Sequence, residues 1–435
     1  MKIRSHFLLF ITSLFIANTT TAASFETEQW QTKNGVRVVF YPAMEVPMLD
    51  INLAFAAGSA YDGEHFGLST LTTQLLNQGN KGFNASEIAE KLEKTGAQFS
   101  SETSRDMVVL SLRTLTRLDA LNEATDAFSL IINQPDFPEE PFNRQKNQQL
   151  ISIKQILESP EDVANQTFFQ VLYGKHPYAH PTIGDAIHVA ALTRDQVRDF
   201  YHHYFVANNA VLVLVGAIDT KTAHQLADKL VANLPMGKEP PPLPEASPLT
   251  KSESIDIPFP SSQTMVRIGQ LGITHHTPRY FALLVGNNIL GGGSLVSTLA
   301  VELREKRGLT YGVYSQFSPM PGIGPFIISF STRNDQATAA SQLTKDILQS
   351  FIKNGPTAAQ LQATKQYLTG GFPLSLASNR NIAEILLKIV FYHLPPNYLN
   401  TYVQHINEVT VDDVKNAFQA QISPNALLEV SVGKK

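Results

Sequence analysis

The stretch "MVVLSLRTL" (107–115), followed by "LDALNEATDAFSLIINQPDFPEEPFNRQKNQQL" (118–150), occurs in this chain in two versions. The second is "GPFIISFSTR" (324–333) followed by "QATAASQLTKDILQSFIKNGPTAAQLQATKQYL" (336–368). Each version opens on alternating apolar and polar residues, the period of a half-buried strand. Each continues with apolar residues at helical spacing, breaks at an Asn-x-Pro, and resumes as a second helix. The breaks fall at Asn133 and Asn354, 221 residues apart. Upstream of each version lies an apolar strand, "MLDINLAFAAG" (48–58) and "TMVRIGQLGI" (264–273), followed by a helix. Convergent patterning could produce such a likeness, but four matching elements in one order favour duplication. The fold class expected is α+β: two tandem homologous domains, each a mostly antiparallel sheet with helices packed on one face.

The point of division is legible. "MGKEPPPLPEASPLTKSES" (236–254) is rich in proline, which blocks helix and central strand and favours an extended spacer. The expected organisation is a first domain over 24–235, a linker over 236–254 and a second domain over 255–435. The 435 residues suffice for such an arrangement. Residues 1–23 read as a signal peptide. Lys2 and Arg4 precede an apolar run from Phe7 to Ala17, and small residues at Ala22 and Ala23 offer the cleavage site. A buried N-terminal strand is the competing reading of that segment.

Composition excludes some classes of function. A net charge of −4 without a basic patch argues against a nucleic-acid partner. The apolar stretches are too short or too interrupted to span a bilayer. The absence of cysteine excludes disulfides, thiolate metal sites and a lipoprotein anchor. A large exported chain of this kind suits a bacterial periplasm, so a periplasmic location in a Gram-negative bacterium is expected.

The most specific stretch is "NNILGGGSLVSTLAVELREKRGLTYGVYSQFS" (287–318). Three glycines, Gly291, Gly292 and Gly293, interrupt an apolar helix; a further helix ends at Gly308, and an alternating strand follows. This sequence resembles the pitrilysin/insulinase family of zinc peptidases, the group that includes mitochondrial processing peptidase. "NGVRVVFYP" (34–42), "GKHPYAHPTIGD" (174–185), "GGFPLSLASN" (370–379) and "LLEVSVGKK" (427–435) resemble further landmarks in family order. The resemblance covers nearly the whole mature chain and implies two homologous α+β domains.

It also implies a catalytic helix carrying His-x-x-Glu-His, with zinc on the histidines, a base on the glutamate, and a second glutamate further along. Ligands one helical turn apart share a face and can grip one ion. Here the corresponding helix is "FGLSTLTTQLLNQG" (66–79), whose Leu68, Leu71, Leu75 and Leu76 form an apolar stripe. The alignment places Thr70, Thr73 and Gln74 at the His, Glu and His positions. The distal glutamate is expected near Ile151 and Ser152. None of these residues suits zinc, so no cofactor is expected on this chain. Nor do the remaining histidines offer a substitute. His176 and His180 are separated from helical presentation by Pro177 and Pro181 and read as loop residues, and the pairs His202–His203 and His275–His276 read as solvated.

Another part of the family pattern is retained. The resemblance implies an arginine and a tyrosine seven residues apart that hold substrate at the zinc site, and Arg304 and Tyr311 have that spacing within "LREKRGLTYG". Spacing alone would equally fit a surface arginine and a core tyrosine. Gly291–Gly293 read either as a substrate-contacting element or as a simple helix interruption. In two-chain members one subunit carries zinc and the other this pair. The sequence therefore predicts the non-metal subunit of a heterodimeric zinc metalloendopeptidase. Zinc is expected on a homologous partner, and the substrates expected are peptides or unfolded polypeptides. The alternative is a catalytically inactive peptide-binding or scaffold protein of the same descent.

Overall fold

Strand Arg37–Pro42 pairs in parallel with Ala210–Gly216, which pairs antiparallel with Met48–Phe55. Val108–Leu115 and then Gln98–Thr103 follow in antiparallel order, and Glu28–Gln31 extends the opposite edge. The second sheet repeats this order. Glu253–Pro258 pairs in parallel with Leu428–Gly433, followed antiparallel by Gln263–Leu271, Pro325–Arg333 and Val313–Phe317. Five strands thus occupy equivalent places in both halves, down to the single parallel pair, and the repeat read in the sequence is a repeat of topology. The computed structural model describes residues 25–434, so the expected signal peptide lies outside the described residues. Among these, no helix is long and apolar enough to cross a membrane.

Each sheet's core face is covered by helices of its own half. Leu71 and Leu75 (Leu68–Leu75) and Phe128 and Ile131 (Leu118–Asn133) pack on Ile51, Leu53, Leu110 and Leu212. In the second half Leu283 (Tyr280–Asn287), Leu348 (Ala337–Asn354) and Phe418 (Val411–Gln421) pack on Ile268, Phe326 and Ile328. The reverse faces are covered by exchange. Helix Asn379–Phe391 of the second half lays Ile382, Leu386 and Leu387 on Val39, Val211, Val213 and Val215 of the first sheet. Helix Pro160–Tyr173 of the first half lays Phe168 and Leu172 on Leu428, Val430 and Val432 of the second. This explains why "AVLVLVG" (210–216) is apolar without alternation: a central strand covered on both faces reads as a continuous hydrophobic run.

Because helix Pro160–Tyr173 serves the other half's sheet, damage to it is felt by both halves. Phe168 is fully buried there, and Arg267 of the second sheet donates to Asn165 and Glu161 of the same helix at 2.7 and 3.0 Å. Phe168→Ala is expected to cost about 3–5 kcal/mol. Both halves should lose stability in one unfolding transition. Urea denaturation followed by far-ultraviolet dichroism checks this, and two separated transitions would contradict the exchange.

The seam carries a buried acid. Asp106 sits in the turn between Gln98–Thr103 and Val108–Leu115. It accepts a hydrogen bond from Tyr178 Oη at 2.7 Å and another, at 3.3 Å, from Tyr392 Oη of the second half. Tyr178 Oη in turn accepts from the Gly322 N–H. Burial pushes the Asp106 carboxyl up to about 6, against the pull of both tyrosines and of Arg105. A folded pKa above the unfolded value means that stability present below about pH 4 is lost as pH rises towards 6. Asp106→Asn should remove that loss, worth up to roughly 3 kcal/mol by linkage. His275, expected to be solvated, is instead half-buried and stacked on Tyr392 at 3.8 Å; burial pushes it down to about 4 and it titrates in the opposite sense, but it is common to both proteins and cancels in the comparison. Urea midpoints of wild type and variant between pH 4 and 7 are the measurement.

Candidate functional site

The first helix is built by its own N-terminal turn. Gly67 has φ 91°, a left-handed conformation, and a Cβ there would lie 2.6 Å from the Ile183 carbonyl oxygen and 2.7 Å from Gln149 Nε2. Only glycine fits. Asp62 accepts from the N–H groups of Gly67 and Ser69, both at 2.7 Å, and so satisfies donors the helix would otherwise leave open. Burial raises the Asp62 carboxyl well above the usual carboxylate range, and the two backbone donors oppose the shift.

Of the three positions aligned with the zinc motif, the two threonines are spent on structure. Thr70 Oγ1 donates to the Thr182 carbonyl at 2.8 Å. Thr73 Oγ1 donates to Ser69 O, one turn back, at 2.8 Å. Gln74 Oε1 is buried without a hydrogen-bond partner among the described residues. Across from them, on helix Glu139–Leu157, the side chain that reaches the first helix is Gln149 rather than Ile151 or Ser152. It is 1% exposed and donates to Gly67 O at 3.0 Å and Ile183 O at 2.7 Å. Ile151 is half exposed. Two hydroxyls and two neutral amides offer neither the imidazole nor the carboxylate that zinc selects, nor a base to activate water. This donor set does not fit a catalytic zinc ion. Among the described residues no group of three or more His, Asp or Glu is poised to hold a metal. His176 and His180 are loop residues: His176 Nδ1 accepts from Tyr178 N at 3.0 Å, and His180 stacks on Phe66 at 4.2 Å.

The retained pair is brought together in the second half. Arg304 lies in the wide helical turn Ala300–Glu305, and its guanidinium carbon sits 4.7 Å from the centre of the Tyr311 ring. Tyr311 is 83% exposed, so it is not a core residue facing inward. A guanidinium over the ring face makes a cation–π contact, and no side-chain hydrogen bond of Arg304 occupies its N–H donors among the described residues. Glu302 holds Lys306 at 2.7 Å and Arg307 at 2.6 Å, whereas no carboxylate among the described residues pairs with Arg304. Neither Arg304 nor Tyr311 is hydrogen-bonded, ion-paired or ring-stacked to the first helix among the described residues.

Gly291–Gly293 divide. Gly291 is buried, and a Cβ there would lie 2.6 Å from the Ser315 backbone nitrogen, so its place is a close approach to strand Val313–Phe317. Gly293 is also buried, and its N–H closes a wide turn on Asn288 O at 2.7 Å. Of the three, Gly292 is exposed, and it leads into Leu295 and Val296, which are exposed too. Asp62, Gln149 and the exposed Leu295–Val296 tip carry no sequence signal of their own. A lone aspartate in a turn and a glutamine in a polar helix are common, and only packing selects these.

Comparison with known proteins places this geometry. Residues 38–186 match the family described as insulinase (peptidase family M16), and residues 191–368 match the peptidase M16 inactive domain. A crystal structure of a peptidase M16 inactive domain from Pseudomonas fluorescens superposes with a TM-score of 0.91. It is 38% identical, over 94% of this chain and 98% of that one. Among curated proteins, the uncharacterized zinc protease YmxG of Bacillus subtilis is 25% identical over 359 residues, 81% of this chain and 85% of that protein. The non-peptidase homolog YmxG of Helicobacter pylori is 25% identical over 417 residues, 95% of each. The chain belongs to the insulinase family, peptidase family M16, and its similarities include members described as inactive or non-peptidase.

Proposed function

We propose that this chain is the non-metal subunit of a heterodimeric periplasmic zinc metalloendopeptidase. It supplies Arg304 and Tyr311 to peptide held at a homologous partner's zinc site. The observation that carries the reading is the Arg304–Tyr311 stack: an exposed tyrosine ring on an arginine without a carboxylate partner among the described residues. The family's own metal positions have meanwhile become Thr70, Thr73 and Gln74. A chain that needed neither residue for substrate would gain nothing from keeping the ring in water. In this role the Arg304 fork donates to peptide carbonyls, and Tyr311 Oη donates to the oxyanion that forms as the carbonyl is attacked. Export rests on the signal-like residues 1–23.

A photo-crosslinking amino acid at position 311, expressed in the native host, tests the reading. The expected product is a covalent adduct with a chain of the same fold carrying His-x-x-Glu-His. Adducts confined to unrelated proteins would instead support a peptide-binding or scaffold role.

A further inference from the structure

Tyr311 stands in solvent, yet the backbone that carries it is clamped on both sides. Thr310 is 7% exposed, and its hydroxyl bridges the far side of the loop. Oγ1 donates to the Gly312 carbonyl at 2.8 Å and accepts from the Gly312 N–H at 3.1 Å. On the near side, Thr332 of the neighbouring strand donates its hydroxyl to Leu309 O, and Leu309 N–H bonds Leu303 O at 2.8 Å. Gly308 N–H bonds Arg304 O at 3.0 Å, which ties the loop to the turn holding the arginine. An exposed tyrosine on an unanchored loop would sample several rotamers, and its stack on Arg304 would hold few of them.

We infer that Thr310 is a positioning residue for Tyr311, its hydroxyl fixing the peptide beyond the ring so that the phenol stays over Arg304 and presents Oη in one direction. Thr332 fixes the peptide before it. The inference deepens the proposed function and rests on it for its catalytic meaning, but the positioning itself is a property of this chain alone. Thr310→Val keeps the shape and removes the bridging hydroxyl, leaving the Gly312 N–H without its partner. Thr310→Ser keeps the bridge.

The test places 3-fluorotyrosine at position 311 and follows its fluorine resonance in the full chain. The expected wild-type signal is narrow and displaced from that of the free amino acid, and Arg304→Ala should move it towards the free value. Thr310→Val should move it the same way, while Thr310→Ser should leave it in place. Thr332→Val supplies an independent arm, expected to shift the signal in the same direction, should Thr310→Val not fold. In the complex isolated from the native host, Thr310→Val should lower turnover of a fluorogenic peptide roughly ten- to hundredfold with little change in KM, since a misplaced donor costs rate before binding. An unmoved resonance in Thr310→Val, or in Arg304→Ala, overturns the inference. A moved resonance in a complex without peptidase activity upholds the positioning and removes the proposed function instead.

Discussion

In the proposed heterodimer, Tyr311→Phe is expected to lower turnover by roughly 10²–10³-fold, the usual cost of losing one oxyanion donor. The substitution removes one hydroxyl and keeps the ring, and with it the 4.7 Å stack on Arg304. Tyr311 is 83% exposed, so no buried partner is left unsatisfied and stability should be unchanged. Arg304→Ala should act differently, raising KM more than it lowers turnover, because in the proposed role its donors hold the peptide before and during reaction alike. Both variants should elute with the partner as wild type does. Steady-state cleavage beside size-exclusion of the same samples measures these effects. Wild-type kinetics in both would remove the catalytic role and leave the scaffold reading.

The isolated chain should retain no stoichiometric zinc, because its motif positions offer two hydroxyls, both donating to backbone carbonyls, and one amide. Changing Thr70→His, Thr73→Glu and Gln74→His together should create weak zinc binding without efficient hydrolysis. A catalytic site generally takes three protein ligands, and two histidines supply only part of the set. Gln149→Glu added to these should tighten binding, since Gln149 is the side chain that the facing helix turns towards the first. Elemental analysis after dialysis, with calorimetric zinc titration, reads the outcome. One tightly held zinc per wild-type chain would contradict the assignment, and robust hydrolysis by the triple variant would show that another residue serves as the third ligand.

The sequence by itself determined the repeat, the fold class and the loss of the metal set. Periodicity of 2 and 3.6 is written in consecutive residues, so strands such as Val108–Leu115 and helices such as Ala337–Asn354 could be read locally. The identity of residues 70, 73 and 74 is likewise visible without coordinates, and so is the seven-residue spacing of Arg304 and Tyr311. Only the tertiary structure decided which surfaces those elements meet. The exchange of Pro160–Tyr173 and Asn379–Phe391 between the two sheets was not legible, because an apolar stripe states that a face is buried and not which partner buries it. The sequence points to Ile151 and Ser152 rather than Gln149, and an offset of two or three residues on a helix turns a side chain by about 200–300°. The close approach of Gly291 to the strand at Ser315 was likewise set by packing. The Asp106 seam joins residues far apart in the chain, and the Thr332 hydroxyl that anchors the Tyr311 loop at Leu309 comes from the neighbouring strand. Such long-range polar contacts leave no periodic trace, because one hydrogen bond constrains one residue on each side, whereas a packed face constrains every third or fourth.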